Sequence, residues 1–263
     1  MARKQRTPQE KSIDPAAQKM LIRADELGLE TAFSRADNMA PCNIGAAGLC
    51  CKLCGMGPCR VTKDGQTGVC GATMDTIQAR NLGRSIAAGA SAHSDHGRDM
   101  AFTLKAVAND ETEGYVIRDV AKLRNVAATY DIPIDDRSPK EIANELADLF
   151  IAQFGSQVGP IVPLKRASKK RQKIWADRKV QPRGVDREVV DMLHRTHMGD
   201  DQDYEHIMEQ AVRTALADGW GGSMIGTDVS DILFGTPAPA HGQANLGVLK
   251  TDMVNVVVHG HEP

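Results

Sequence analysis

All six cysteines of this 263-residue chain fall between Cys42 and Cys70, spaced C-x7-C-C-x2-C-x4-C-x10-C. The stretch from Ala40 to Gly71 has no helical or strand periodicity and is rich in glycine, so it reads as a loop wrapped around something. Gly45, Gly48, Gly55, Gly57, Gly68 and Gly71 let the backbone curl tightly enough for several sulfurs to converge on one centre. Convergent thiols, rather than a hydrophobic core, are what can hold such a segment.

The remainder reads as a mainly helical body. Aromatic residues make up only 4% of the chain, which disfavours a β-sandwich and favours helices packed through Ala and Leu. Residues 1–13 are polar and basic and read as a loose tail. Asp14-Pro15 caps a helix carrying Met20, Leu21, Ala24 and Leu27, which Gly28 ends. Thr73 caps a long helical run through Leu104, with Gly83, Gly89 and Gly97 as expected points of close helix contact. Further helices are expected over Ile117–Ala128, from a Ser138–Glu141 capping box onward, near Asp186–Arg195 and over Tyr204–Leu216, followed by a Gly- and Pro-rich stretch from Gly219 to Gly247.

Net charge is −2, so no overall field gathers nucleic acid or anionic lipid. The basic run between Leu164 and Arg183 holds one aromatic residue, Trp175, and reads as a solvated helix face rather than a stacking surface. No apolar run approaches the ~18 residues of a membrane span, and no apolar segment follows the basic N-terminus. These features predict a cytoplasmic protein without membrane insertion or a nucleic-acid partner. The β-branched run from Met253 to Val258 reads as a strand buried on both faces of a parallel sheet. It lacks neighbours elsewhere in the sequence, so it is expected to open a sheet domain of a longer polypeptide.

Three fates compete for the thiols. A structural zinc site usually shows two C-x2-C knuckles or a Cys/His mixture, and only one C-x2-C is present. Disulfides are uncommon in a reducing compartment. A cubane iron–sulfur cluster takes four thiolates, a number that Cys51, Cys54, Cys59 and Cys70 match. Cys42 and Cys50 are left over. Two cysteines from each of two subunits meeting at a two-fold axis would complete a second, shared cubane, with unligated thiols as the alternative.

The segments Pro41 to Arg60, Gly68 to Ala72, Ser85 to His96, Gly226 to Pro237, Asn245 to Lys250 and Val258 to Pro263 resemble, in order along the chain, the anaerobic nickel–iron carbon monoxide dehydrogenases. The resemblance implies a mainly α N-terminal domain with a Cys-rich cluster-binding loop, followed by the first strand of an α/β Rossmann-like domain. In residue terms it implies a basic tail over 1–13, a helical domain over 14–250 with its Cys-rich loop at 40–71, and the start of a Rossmann-like domain at 251–263. It implies oxidation of CO with water to CO2, two protons and two electrons. By matched position, Cys51, Cys54, Cys59 and Cys70 resemble ligands of a relay [4Fe-4S] cluster, and Cys42 and Cys50 half the ligands of a cluster bridging a homodimer. His261 resembles a ligand to iron in the nickel–iron–sulfur active-site cluster, whose thiolates come from beyond Pro263.

His93 and His96 share a helix face and resemble the start of the family's proton-passing histidine ladder. Asp99 and Phe102 stand at the next two rungs, and an aspartate can pass a proton where a phenylalanine cannot. Implied partners are a second copy of the chain, a ferredoxin-type electron carrier and an acetyl-CoA synthase subunit. Two other functions fit parts of the pattern: a split electron-transfer subunit that never holds nickel, and a hybrid-cluster or hydroxylamine-reducing enzyme, against which the adjacent Cys50-Cys51 pair argues.

Overall fold

A computed structural model of the chain describes residues 5–39 and 42–238. The expected strand at 253–258, the Rossmann-like segment and His261 lie outside the described residues. Those described fall into two compact units that part between residues 47 and 48. In the first, residues expected as loose tail instead form a capped turn, α1 (Pro8–Lys11), where the Thr7 hydroxyl accepts from the Glu10 amide and the Glu10 carboxylate accepts from the Thr7 amide. Asp14 caps α2 (Pro15–Glu26) as expected, and Gly28 takes φ +65 just after it. The sequence reading missed α3 (Ala32–Asn38), whose buried Asp37 pairs with Arg6 and Lys11. The short α4 (Asn43–Ala46) is the last helix among the unit's described residues.

The second unit is helical apart from a two-residue hairpin, β1 (Cys50–Cys51) against β2 (Cys59–Arg60), antiparallel with Cys51 opposite Cys59. Its axis is α5 (Met74–Ala108), 35 residues and so about 50 Å long at 1.5 Å per residue. The Thr73 hydroxyl caps it by accepting from the Thr76 amide at 3.3 Å. Small residues, Ala87, Ala90, Gly97 and Ala101, line its buried stripe, so neighbouring helices approach closely. Packed on it are α7 (Pro139–Gly155), α9 (Val185–Arg195), α10 (Tyr204–Ala217) and α11 (Ser223–Phe234). The main core joins Leu104 and Ala101 of α5 to Leu146 and Phe150 of α7 and to Ile225, Val229 and Ile232 of α11.

Three departures from the sequence expectation have physical causes. The Gly-rich stretch after Gly219 contains α11, because its apolar residues Ile225, Val229, Ile232 and Leu233 bury one face despite the surrounding glycines. Helix α6 (Val120–Thr129) starts later than expected: the Arg118 and Asp119 amides donate to the Ile232 carbonyl, and Asp119 caps the helix by accepting from the Lys122 amide. Of the three α5 glycines, Gly89 faces open space, whereas Gly83 meets Met192 and Gly97 meets the backbone of Gly222. In the basic run, α8 (Lys169–Asp177) turns Trp175 inward, edge-on to Trp220 at 5.7 Å, while Lys165 and Arg166 pair with Asp131 and Asp228. No described helix is long and apolar enough to cross a membrane.

Helices α10 and α11 are one run interrupted by a π-helical turn, Asp218–Gly222. That turn crosses α5 where both chains lack side chains: a Cβ on Gly222 would lie 2.7 Å from the His93 carbonyl oxygen, and one on Gly97 would collide with the Gly222 carbonyl. Replacing Gly97 by Ala should therefore cost about 2 kcal/mol of unfolding free energy through overpacking. Gly89→Ala, in open space on the same helix, should be neutral or stabilising by about 0.5 kcal/mol. Urea titration of the two variants separates them.

Between α9 and α10 lies a buried charge network. Burial pushes the Glu188 carboxyl up, but the Arg183 guanidinium and amide and the Gln210 side chain more than offset this and hold it below the usual carboxylate range. A depressed acid of this kind contributes stability above its unfolded value, near 4.3, and loses it as pH falls through the lower folded one. Glu188→Gln should cost about 3 kcal/mol at pH 7, with the deficit shrinking as both proteins are titrated toward pH 3 in urea unfolding curves.

Candidate metal centre

The hairpin and the loop that follows it bring Cys51, Cys54, Cys59 and Cys70 to the wall of a single cavity against the first turns of α5. Glycines make this arrangement possible. A Cβ on Gly57 would sit 3.1 Å from the Cys59 nitrogen and 3.2 Å from the Cys51 oxygen, and Gly71 turns the chain at φ +88 just after Cys70. The apolar side is Val61, Ala72 and Ile77, all buried, with Cys51 in their midst. Asn81 of α5 fastens the loop's entrance, its amide donating to the Gly48 carbonyl at 2.9 Å and to the Cys50 carbonyl at 3.4 Å.

None of the six cysteines is held in a disulfide. Among the described residues, no three Cys, His, Asp or Glu side chains are close enough together to hold a single metal ion. A zinc ion needs its sulfurs about 2.3 Å from one point, whereas a cubane spreads its four ligands around a larger body. The four cysteines of this cavity match in number the four thiolates that a cubane takes. Two sulfurs receive donors suited to a thiolate: the Val69 amide approaches Cys59 Sγ at 3.5 Å, and Arg80 Nη1 approaches Cys70 Sγ at 3.7 Å. Burial pushes the Cys70 thiol up, but the Ala72 amide, Arg80 and Gln202 outweigh it and bring it down to about 7.

Arg80 is the member of this site that the cysteine pattern did not disclose. It is 1% exposed, its Nη2 donates to the Asp201 carbonyl at 2.9 Å, and its Nε is buried without a partner. No described carboxylate pairs with it. A buried cation lacking a counter-charge is costly, and the nearest anion-forming group is the thiol cavity itself. The signal in the sequence is an arginine on the apolar stripe of α5, three residues after Ile77. Gln202 and Met198, from the loop between α9 and α10, close on the same region, and nothing local in the sequence marks them.

The remaining expected residues lie elsewhere. Cys42 belongs to the first unit, exposed, at the N-cap of α4, and Cys50 belongs to the second, half-buried in β1. His93 is half-buried on α5, its Nδ1 2.7 Å from Asp218 Oδ1 and 3.0 Å from Ser223 Oγ, both supplied by the π turn and the start of α11. His96 packs beside Gly226, where a Cβ would come within 3.3 Å of its ring. Asp99 and Phe102 are exposed on the outer face of the helix.

Fold and site together define a helical protein with a thiol-lined cavity at one end of its longest helix. The sequence pattern of the Prismane/CO dehydrogenase family matches residues 49–263, and the chain belongs to that family. A carbon monoxide dehydrogenase 1 of Methanosarcina mazei is 51% identical over 258 residues, covering 97% of this chain and 41% of that protein. The crystal structure of a nickel-free carbon monoxide dehydrogenase from Thermococcus sp. AM4 matches all of this chain and 42% of its own, with a TM-score of 0.89 and 45% identity. An acetyl-CoA synthase/carbon monoxide dehydrogenase, whose alpha subunits hold NiZn[Fe4S4] and NiNi[Fe4S4] clusters, matches 91% of this chain and 37% of its own at a TM-score of 0.82 and 33% identity. The chain thus spans about two fifths of the length of the curated relatives it matches.

If Asn81 fastens the cysteine loop, Asn81→Ala should loosen it locally. Losing these hydrogen bonds, about 1 kcal/mol, predicts roughly fivefold faster amide exchange at Cys51 and Val61 with no change in α7, measurable by hydrogen–deuterium exchange.

Proposed function

We propose that this chain is the cluster-bearing N-terminal part of a carbon monoxide dehydrogenase. In this reading Cys51, Cys54, Cys59 and Cys70 hold a [4Fe-4S] relay cluster, and Cys42 and Cys50 supply half the ligands of a second cubane shared between two copies of the chain. His261 contributes a ligand to iron in a nickel–iron–sulfur active-site cluster, at the end of the strand that begins a Rossmann-like domain. The observation that carries the proposal is four reduced thiols lining one cavity beside a buried arginine without a carboxylate, in a chain of this family.

The reaction is CO + H2O to CO2, two protons and two electrons, the electrons leaving for a ferredoxin-type acceptor. When bound, the cubanes supply one-electron oxidation and reduction. The protein's own residues do the rest. The glycine turns bring the four sulfurs to the cavity wall, and Ala72 and Ile77, backed by Val61, give it an apolar side. The Val69 amide donates to Cys59 Sγ, and Arg80 beside Cys70 favours the thiolate form there that ligation needs. Cys42, exposed, suits a ligand offered across a two-fold axis to a second copy.

Protons take a separate path. The His93 imidazole can accept at one ring nitrogen and release at the other, and the Asp218 carboxylate and Ser223 hydroxyl at its Nδ1 hold the ring in place. His96 and Asp99 continue the same face toward solvent, and Phe102 ends it. An acetyl-CoA synthase subunit is a further partner in this reading, supported by the likeness to the bifunctional assembly.

A second reading is an electron-transfer subunit without nickel, in which the same six cysteines hold the relay and shared cubanes and pass electrons on. Anaerobically purified protein separates the two. The enzyme reading expects nickel, iron and sulfide in the protein and CO-dependent reduction of a viologen dye. Cys54→Ser should remove about four irons per chain and abolish dye reduction. Iron without nickel, and no response to CO, leaves the electron-transfer reading, and protein that binds no iron after reconstitution sinks both.

A further inference from the structure

Among the described residues lining the cavity, Arg80 is a buried cation that holds no carboxylate partner. We propose that Arg80 sets the reduction potential of the cluster held by Cys51, Cys54, Cys59 and Cys70, raising it through its charge and its hydrogen bond to the Cys70 sulfur; this rests on the ligand set proposed above.

The argument begins with burial. Arg80 is 1% exposed on α5, yet its guanidinium finds only a carbonyl, that of Asp201 at 2.9 Å, and one sulfur, Cys70 Sγ at 3.7 Å. Its Nε faces no acceptor. The Asp201 carboxylate is engaged with Arg195 at 3.0 Å and so does not neutralise it. Every other buried ion on α9 and α10 is matched: Glu188 and Asp191 share Arg183, and Asp191 also meets Arg195. Among the described residues Arg80 is the fully buried arginine, it has no carboxylate, and a cubane with four thiolates would bring it a negative charge.

Reducing such a cluster by one electron makes it one unit more negative. The electron comes from upstream and is passed on to the next acceptor, so no proton or bond change is required. A fixed buried cation interacts more strongly with the more negative state, because the surrounding low-dielectric groups cannot screen it. Hydrogen bonds to cluster sulfurs act in the same direction. Arg80 therefore makes the reduced form easier to reach. The site also holds Arg80 in one geometry: Thr76 Oγ1 donates to the Gln202 carbonyl at 2.7 Å, and the Gln202 side-chain amide donates to the Cys70 carbonyl at 3.1 Å, so the loop bearing Asp201 is tied to α5 and to the cysteine loop together.

The test is a redox titration of the cluster-loaded protein followed by electron paramagnetic resonance, the relay signal being the one lost in Cys54→Ser. Arg80→Met should retain its iron and lower the reduced-to-oxidised ratio at a fixed poise about tenfold, a midpoint shift of ~59 mV for a one-electron couple, and Arg80→Lys should fall between it and the wild type. An unmoved midpoint in iron-loaded Arg80→Met overturns the proposal. Should Arg80→Met lose its iron, reduced wild-type protein carrying 15N-arginine decides the matter: a nitrogen coupling to the relay cluster in pulsed resonance spectra supports it, and no coupling overturns it. Wild-type protein that binds no cubane removes the ligand assignment itself, and this role with it.

Discussion

The second unit depends on one close approach, the crossing of α5 and the π-helical turn at Gly97 and Gly222. Two backbones meet there because neither carries a Cβ. Without the crossing, α10 and α11 would be an uninterrupted helix with no reason to present Asp218 toward α5. With it, Asp218 and Ser223 converge on the His93 ring from a different stretch of chain. The extra residue of a π turn is what re-aims them. The same glycines that make α5 a poor helix by propensity make it the helix against which the others can pack.

Because α5 is a single rod, it fixes the distance between two kinds of chemistry. Its first turns, with Ile77, Arg80 and Asn81, form a wall of the thiol cavity and the anchor of the cysteine loop. About 20 Å further along, at 1.5 Å per residue, His93 meets its partners. Groups suited to holding electrons and groups suited to moving protons are thus separated along one rigid element. The proposed oxidation, which releases both, would need them kept apart, since a proton delivered to a ligating thiolate would displace it from its metal.

Much of this arrangement was legible in the sequence, and what was not has identifiable causes. Caps were readable because their chemistry is local: Asp14, Thr73 and Ser138 each satisfy amides two or three residues away. The cysteine loop was readable because glycine and thiol spacing leave few alternatives. Gly89 was misread, since a glycine on a helix does not announce whether anything packs against it. Helix α11 was obscured because its glycine neighbours outweigh its apolar stripe in any short window. Gln202 and Asp218 could not be found, because each acts through a contact more than a hundred residues away in sequence. Arg80 lay between these cases, visible as a charge on an apolar stripe but unexplained until the cavity appeared beside it.

That charge also bears on why the cysteine loop is built as it is. Four cysteine sulfurs line one cavity, and thiolates so placed would repel one another and resist burial, so a loop of glycines would not hold them by itself. The structure supplies positive potential from three directions: the Val69 amide at Cys59, the Ala72 amide at Cys70, and Arg80 behind Cys70. Only the last is a full charge, and it comes from α5 rather than from the loop. The loop can therefore stay a run of glycine turns around the cavity, while the helix provides the charge that favours a thiolate beside it. Where that division of labour operates, the helix that orders the fold also governs what the thiol cavity can bind.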